Sequence, residues 1–301
     1  MARRMVIKNV LNAPKWVKTN REYKSSVFSS VFSEYPEELL KIIPVRTSSE
    51  TVIENVTLDN VLFMEQVNDL ALLADSALLL FFEHQSTINH NMCIRMLIYY
   101  ARVMEQLLTG QAKYWTKQVP LPYPIFIVLY NGNKNMKDVT MHLSDAFMDV
   151  NTFLDKKLMD RWGGDVPVDL TLKMVNINKG NNSDLVEKSE ILGGYVELVD
   201  RVKRYVGEGM NLPDAATKSV RECIDEGILK DYLTKHASEV ENMLFGEWDI
   251  NTALMVREEE VREEVTAEVT DKVTAEYEQI VHEREERIAV LEAQLAALLS
   301  Q

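Results

Sequence analysis

The chain has 301 residues, of which 46% are hydrophobic and 27% charged, and a formal net charge of −14. That length carries one or two domains with a buried core, and the composition excludes a wholly disordered protein. No apolar run reaches the ~20 residues that span a bilayer, no apolar segment follows Arg3 and Arg4, and Cys93 and Cys223 are too few for a disulfide framework or a metal site.

A cytoplasmic location is therefore expected, with no membrane partner. Residues 1–24 hold seven basic groups against Glu22 alone, a local charge of +6 on an acidic chain. Such a basic segment can hold a phosphate backbone, or it can be a solvated tail. Val27, Phe28, Val31, Phe32, Leu39, Leu40 and Ile43 then follow a helical spacing broken at Tyr35-Pro36. Residues 52–63 are rich in β-branched side chains and predict a strand. The apolar runs 70–74 and 77–82, parted by Asp75-Ser76, predict a tight hairpin. Residues 89–110 predict a long helix with Met92, Met96, Leu97, Tyr100, Val103, Met104 and Leu107 inward and Gly110 as its stop. Residues 125–130 and 170–177 read as buried strands, each ended by an Asn-rich turn. Residues 183–206 and 214–237 each read as one helix.

From residue 255 to 301 there is no Gly or Pro, and residues 257–301 carry a charge of −8. Val261, Val265, Val269, Val273 and Tyr277 recur every four residues, and Ile288, Leu291, Leu295 and Leu298 form a heptad seam. A helix of this kind cannot bury its stripe alone, so it self-associates or packs back on the body. A homo-oligomer through this helix is the expectation. The element order gives an α/β fold, a small mixed sheet flanked by helices, with a helical region and a C-terminal coiled-coil helix appended.

The hairpin is where chemistry concentrates. Its second strand is wholly apolar over 77–82 and ends in Glu83-His84-Gln85. A carboxylate at the end of a buried strand is costly unless a cation or donor meets it. Side chains alternate, so Glu83 and Gln85 share a face while His84 points to the other and reads as structural, or as support for the acids from behind. A turn centred on Ser76 places Asp69 opposite Glu83. A turn centred between Asp75 and Ser76 offsets them by one residue. Opposed positions have Cβ atoms ~5 Å apart, so two carboxylates there repel without a cation. Two hard oxygen ligands of this kind suit Mg²⁺, with water and a substrate phosphate completing the shell. The plain reading is two strand-end acids in solvent. A zinc reading of His84, His90 and Cys93 fits no usual ligand spacing.

Asn68-Asp69, the run Phe82-Glu83-His84-Gln85-Ser86-Thr87-Ile88-Asn89, and Arg95-Met96-Leu97 with Tyr99 resemble the recombination-promoting nuclease and transposase-like family of bacteria. That family lies within the PD-(D/E)XK nuclease superfamily. The resemblance continues through Tyr123-Pro124, Val128-Leu129-Tyr130-Asn131-Gly132, Asn176-Ile177-Asn178 and Glu226-Gly227-Ile228-Leu229-Lys230. It implies a restriction-endonuclease-like core over residues 25–182, followed by a helical region over 183–254 and the charged helix over 255–301. It also implies that Asp69 and Glu83 bind Mg²⁺, with Mn²⁺ as a substitute, and that Gln85 replaces the usual active-site lysine. The implied activity is DNA endonuclease cleavage that promotes recombination. Arg95 and Tyr99, one helical turn apart, are expected to contact a phosphate or an active-site carboxylate. Where an upstream acid is common, this chain has Ser25, with Glu54 or Glu65 as possible substitutes. A decayed nuclease that acts as a DNA-binding or assembly protein is the alternative.

Overall fold

The computed structural model describes residues 26–46, 50–58, 69–108, 112–148 and 168–246, with scattered helical positions between 266 and 284. Two compact units divide the chain, Met1–Glu247 and Trp248–Gln301. Of the second unit, the described positions are helical, and Val269, Val273 and Tyr277 on it are exposed. The heptad seam at 288–298 and the basic segment 1–24 lie outside the described residues.

In the first unit, α1 (Val27–Glu34) starts at Ser26, whose hydroxyl accepts the Ser29 N–H at 3.0 Å. Tyr35 ends it, and Pro36 opens the short α2 (Pro36–Leu40), which is the expected break. A six-stranded mixed sheet follows. It contains β1 (Ile53–Asn55), β2 (Leu70–Ala74), β3 (Leu78–Gln85), β4 (Tyr123–Tyr130), β5 (Val139–His142) and β6 (Thr171–Asn176), in the spatial order β1-β2-β3-β4-β6-β5. The pairs β1–β2, β2–β3 and β5–β6 are antiparallel, whereas β3–β4 and β4–β6 are parallel. A long helix, α3 (Met92–Leu107), connects β3 to β4. This crossover is what a parallel pair requires.

The sheet is covered on both faces, so β3 is buried from Leu79 through Glu83. On one face α3 lays Met92, Met96, Tyr99 and Val103 over Leu79, Phe81 and Val128. On the other, Phe28 and Phe32 of α1 meet Tyr195 of α5 (Glu190–Gly207), with ring centroids 5.9 and 6.5 Å apart. The expected single helix over 183–206 is two, α4 (Ser183–Val186) and α5, because Ser189 caps the second by accepting the Leu192 N–H at 3.0 Å. The helix expected over 214–237 also breaks, into α6 (Leu212–Glu226) and α7 (230–246). Gly227, at φ 82°, closes α6 in the left-handed conformation that favours glycine. Arg201 clamps α5 to α6 through a bidentate pair with Glu226 at 2.9 and 2.5 Å. Among the described residues, no helix is long and apolar enough to cross a membrane.

The parallel strands β3, β4 and β6 end together, with Gln85 opposite Tyr130 and Tyr130 opposite Asn176. Their loops are then stitched to one another. The Asn131 N–H donates to the Gln85 carbonyl at 3.0 Å and the Ile177 N–H to the Tyr130 carbonyl at 2.9 Å. Gly132 makes this closeness possible. A Cβ there would lie 1.8 Å from the Ser86 carbonyl oxygen and 2.5 Å from the Tyr130 hydroxyl. The obstacle at Ser86 is backbone, so it cannot swing aside. Gly132→Ala is therefore expected to cost about 2 kcal/mol by forcing the two loops apart. Urea unfolding of the two forms checks this, and equal midpoints would contradict it.

Candidate active site

The hairpin takes the register centred on Ser76, pairing Leu70 with Phe82 and Ala74 with Leu78. Asp75 and Ser76 both have positive φ, at 50° and 53°, which is what a tight turn of this hand demands. Carrying the register one step past Leu70 sets Asp69 against Glu83. At that step the side chains take over from the ladder. The Asp69 N–H donates to Glu83 Oε1 at 3.2 Å, and the His84 N–H donates to Asp69 Oδ2 at 2.7 Å. Each carboxylate thus accepts a backbone N–H from the opposite strand, and the two acids are held side by side.

Burial works against this arrangement. Glu83 is 1% exposed, and desolvation together with the neighbouring Asp69 charge pushes its pKa well above the ordinary carboxylate range. Arg95, the Asp69 N–H and the Gln85 amide oppose that shift. Asp69 rises to about 6, chiefly by desolvation, with the His84 N–H and Arg95 pulling it down. The half-buried Arg95 reaches Glu83 Oε2 from α3 at 3.1 Å. Burial disfavours the guanidinium charge, yet Glu83, Tyr99 and Asp69 together more than offset this and its pKa is raised. Arg95 is itself held by Tyr99, whose hydroxyl lies 3.2 Å from Nε and 3.0 Å from Nη2. Desolvation and Glu83 push the Tyr99 hydroxyl up to about 12, so it stays neutral.

Of the residues expected from sequence, Asp69, Glu83, Gln85, Arg95 and Tyr99 therefore share one end and one face of the sheet. Glu54 does not join them. It is exposed on β1 opposite Leu73, four positions along the strand from Asp69, or about 13 Å at the usual rise. Ser25 and Glu65 lie outside the described residues. Among the described residues no three His, Cys, Asp or Glu side chains converge on one point, and Cys93 lies in the core under α3.

His84 anchors the same strand end from behind. Its ring stacks on Phe28 at 5.7 Å, and its Nε2 lies 2.9 Å from the Tyr195 hydroxyl, which also accepts from the Asn131 amide at 3.3 Å. Burial lowers His84 to about 4 and keeps it neutral. Lys203 completes this group, donating to the Asn131 carbonyl and, at 2.9 Å, to Asn178 Oδ1. Burial brings its pKa down to about 8. Neither Tyr195 nor Lys203 was legible as part of the site. Both stand on a helix more than 100 residues downstream of the hairpin, and their own helix periodicity accounts for them.

A family model described as "Putative transposase, YhgA-like" matches residues 59–192. The match contains the carboxylate pair, Arg95, Tyr99 and strands β2 to β6, and it agrees with the transposase-like resemblance of the sequence. No curated protein and no solved structure gives a significant match to the chain.

Two acids forced together and desolvated make the ionised state costly, so removing one charge should stabilise the metal-free protein. Asp69 takes up a proton more readily folded than unfolded, so its ionisation costs stability as pH rises from about 4 through about 6. At pH 8 the whole penalty is present. Asp69→Asn keeps an acceptor for the His84 N–H and removes the charge. It is expected to raise stability at pH 8 by on the order of 1–2 kcal/mol, discounted from the full shift because Asp69 is only half-buried. The gain should vanish near pH 4. Thermal melts in EDTA at the two pH values check this, and a destabilised variant at pH 8 would contradict the charge conflict.

Proposed function

We propose that the chain is a Mg²⁺-dependent DNA endonuclease, linked to recombination or mobile elements, in which Asp69 and Glu83 hold the metal. The observation that carries this reading is the desolvated carboxylate pair at the open end of the β2–β3 hairpin. Structural acids are seldom placed together at such cost, whereas a divalent cation would convert their repulsion into attraction. The order helix, three antiparallel strands, helix, and a strand parallel to the third supports a restriction-endonuclease-like core. The family match supports a role in handling DNA.

The donor set fits the ion. Mg²⁺ is commonly held by one or two carboxylates, with water and substrate oxygens filling the octahedron. When bound, it would lower the pKa of a coordinated water and stabilise charge growing on the phosphate. The other side chains have tasks of their own. Gln85, on the same face as Glu83, orients a water or a phosphate oxygen through its amide, and it cannot accept a proton as a base. Arg95 fixes the Glu83 carboxylate and is placed to meet a phosphate oxygen with its remaining donors. Tyr99 holds the guanidinium through its hydroxyl, 3.2 Å from Nε and 3.0 Å from Nη2. Mn²⁺ should replace Mg²⁺, since both favour oxygen ligands. Self-association through the heptad-patterned C-terminal segment belongs to the same reading.

A plasmid-cleavage assay at low salt with Mg²⁺, Mn²⁺ or EDTA tests the reading. The wild-type chain should nick supercoiled DNA with either metal and not in EDTA. Asp69→Asn and Glu83→Gln should each lower the rate at least ~100-fold, the loss of several kcal/mol of transition-state stabilisation. Cleavage that survives both substitutions would overturn the assignment. Equal inertness of all three proteins under every metal would replace it with a DNA-binding or assembly role for a decayed nuclease.

A further inference from the structure

The loops that follow the parallel strands at the carboxylate end of the sheet are rich in asparagine and free of acids. Residues 86–91, 131–137 and 177–182 follow β3, β4 and β6 at one edge of the sheet. Together they contain eight Asn, three Lys and no Asp or Glu, in a chain with 47 acids among 301 residues. At that average, nineteen residues would carry about three acids. The acid-poor stretch is wider than the rim, since Glu105 is the single acid between residues 84 and 137, whereas the concentration of asparagine belongs to these loops.

The asparagines give this rim a fixed shape. The Asn178 amide donates to the Gly132 carbonyl at 2.9 Å, and the Asn176 amide to the Met136 carbonyl at 2.8 Å. The Tyr130 hydroxyl donates to the Lys134 carbonyl at 3.1 Å and accepts the Lys134 N–H at 3.0 Å. Asp138, the first acid beyond the rim, is occupied by the Asn176 N–H at 3.0 Å and the Asn182 amide at 2.8 Å. Lys134 and Lys137 are exposed on the braced loop. Lys179 is exposed and pairs with Glu197 at 2.7 Å and Asp200 at 3.5 Å.

We propose that this rim seats the sugar-phosphate backbone of a DNA duplex beside Asp69 and Glu83, with Lys134 and Lys137 as phosphate contacts. The inference rests on the nuclease reading for its choice of DNA. A phosphate chain approaching a chain of net charge −14 needs a route without carboxylates, and a preorganised one loses little entropy on binding. Amide donors and two ammonium groups supply that route. Such contacts position a backbone and carry no base information.

Fluorescence anisotropy of the full chain with a labelled duplex, in EDTA and over a salt series, tests the proposal. The double variant Lys134→Glu with Lys137→Glu should bind at least ~10-fold more weakly and flatten the slope of log K against log salt by about 2, alike for unrelated sequences. Lys117→Glu, in the loop at the opposite end of β4, makes half the charge change of the double variant and is the control for a charge away from the rim; it should change binding little. Unchanged affinity and slope in the double variant would overturn the proposal. So would an equal loss in the Lys117 variant, or tighter wild-type binding to an RNA duplex of the same length. Plasmid cleavage by the same proteins separates the two readings. If the wild type and the double variant cleave with the same KM, the rim assignment fails and the nuclease stands. If no form cleaves but the double variant loses binding, the nuclease reading fails and the rim remains a DNA surface.

Discussion

The site depends on a crossed pair of hydrogen bonds at the end of one hairpin. Where the β2–β3 ladder stops, Glu83 accepts the Asp69 N–H and Asp69 accepts the His84 N–H. Two acids that would separate in water are thereby fixed at opposed positions, each satisfying a donor that would otherwise be unpaired under the helices. The bonds favour the charged forms. Desolvation and mutual repulsion disfavour them, and both carboxyl pKa values are raised. The balance is therefore unfavourable to two negative charges. That imbalance is what sets the pair apart from an ordinary hairpin end.

The strand that bears the pair is held from both faces, by groups of different character. On the α3 face the grip is ionic, from Arg95 with Tyr99 behind it. On the α1 and α5 face it is neutral, from the His84 ring between Phe28 and Tyr195. A protonated imidazole on that second face would add positive charge next to Lys203, and burial prevents it. The consequence is that Arg95 is the cation that meets Glu83 directly. Its side chain is 28% exposed while that of Glu83 is 2% exposed, so it can also turn toward an incoming anion.

Much of this was legible because hairpin arithmetic is strict. Once the turn is placed at Ser76, the side-chain alternation of a strand leaves no freedom over which residue faces Glu83. The helix period then puts Arg95 and Tyr99 on one side of α3. Elements with weak patterns were read less well. The short edge strand β5 has only four residues and is mostly exposed, so it carries no hydrophobic signature. The helix over 183–206 looked continuous because Ser189, which breaks it, is an ordinary helix-surface residue until its hydroxyl is seen capping Leu192. Gly227 was a visible stop signal whose effect the flanking apolar period concealed. The Tyr195 and Lys203 contributions were hidden for a different reason. They depend on which helix covers the second face, and topology decides that.

The Asn-rich turns show how one residue type can be read correctly and still incompletely. Asn131-Gly132 and the run 178–182 are turns, as their composition predicts. Their side chains also brace neighbouring loops, and a bracing lysine or glutamate would have brought a charge with it. A lysine in place of Asn178 would stand beside the Lys203 ammonium, which already bonds to Asn178. An acid there would repel any phosphate that entered. Asparagine offers a donor and an acceptor without net charge, so the rim can be rigid and still leave the sign of the local field to Lys134, Lys137 and the carboxylate pair. A neutral amide at these positions adds no charge to the electrostatic conflict at the carboxylate pair. If the two acids hold a metal for a polyanion, as proposed, the ground between them is best structured without further negative charge.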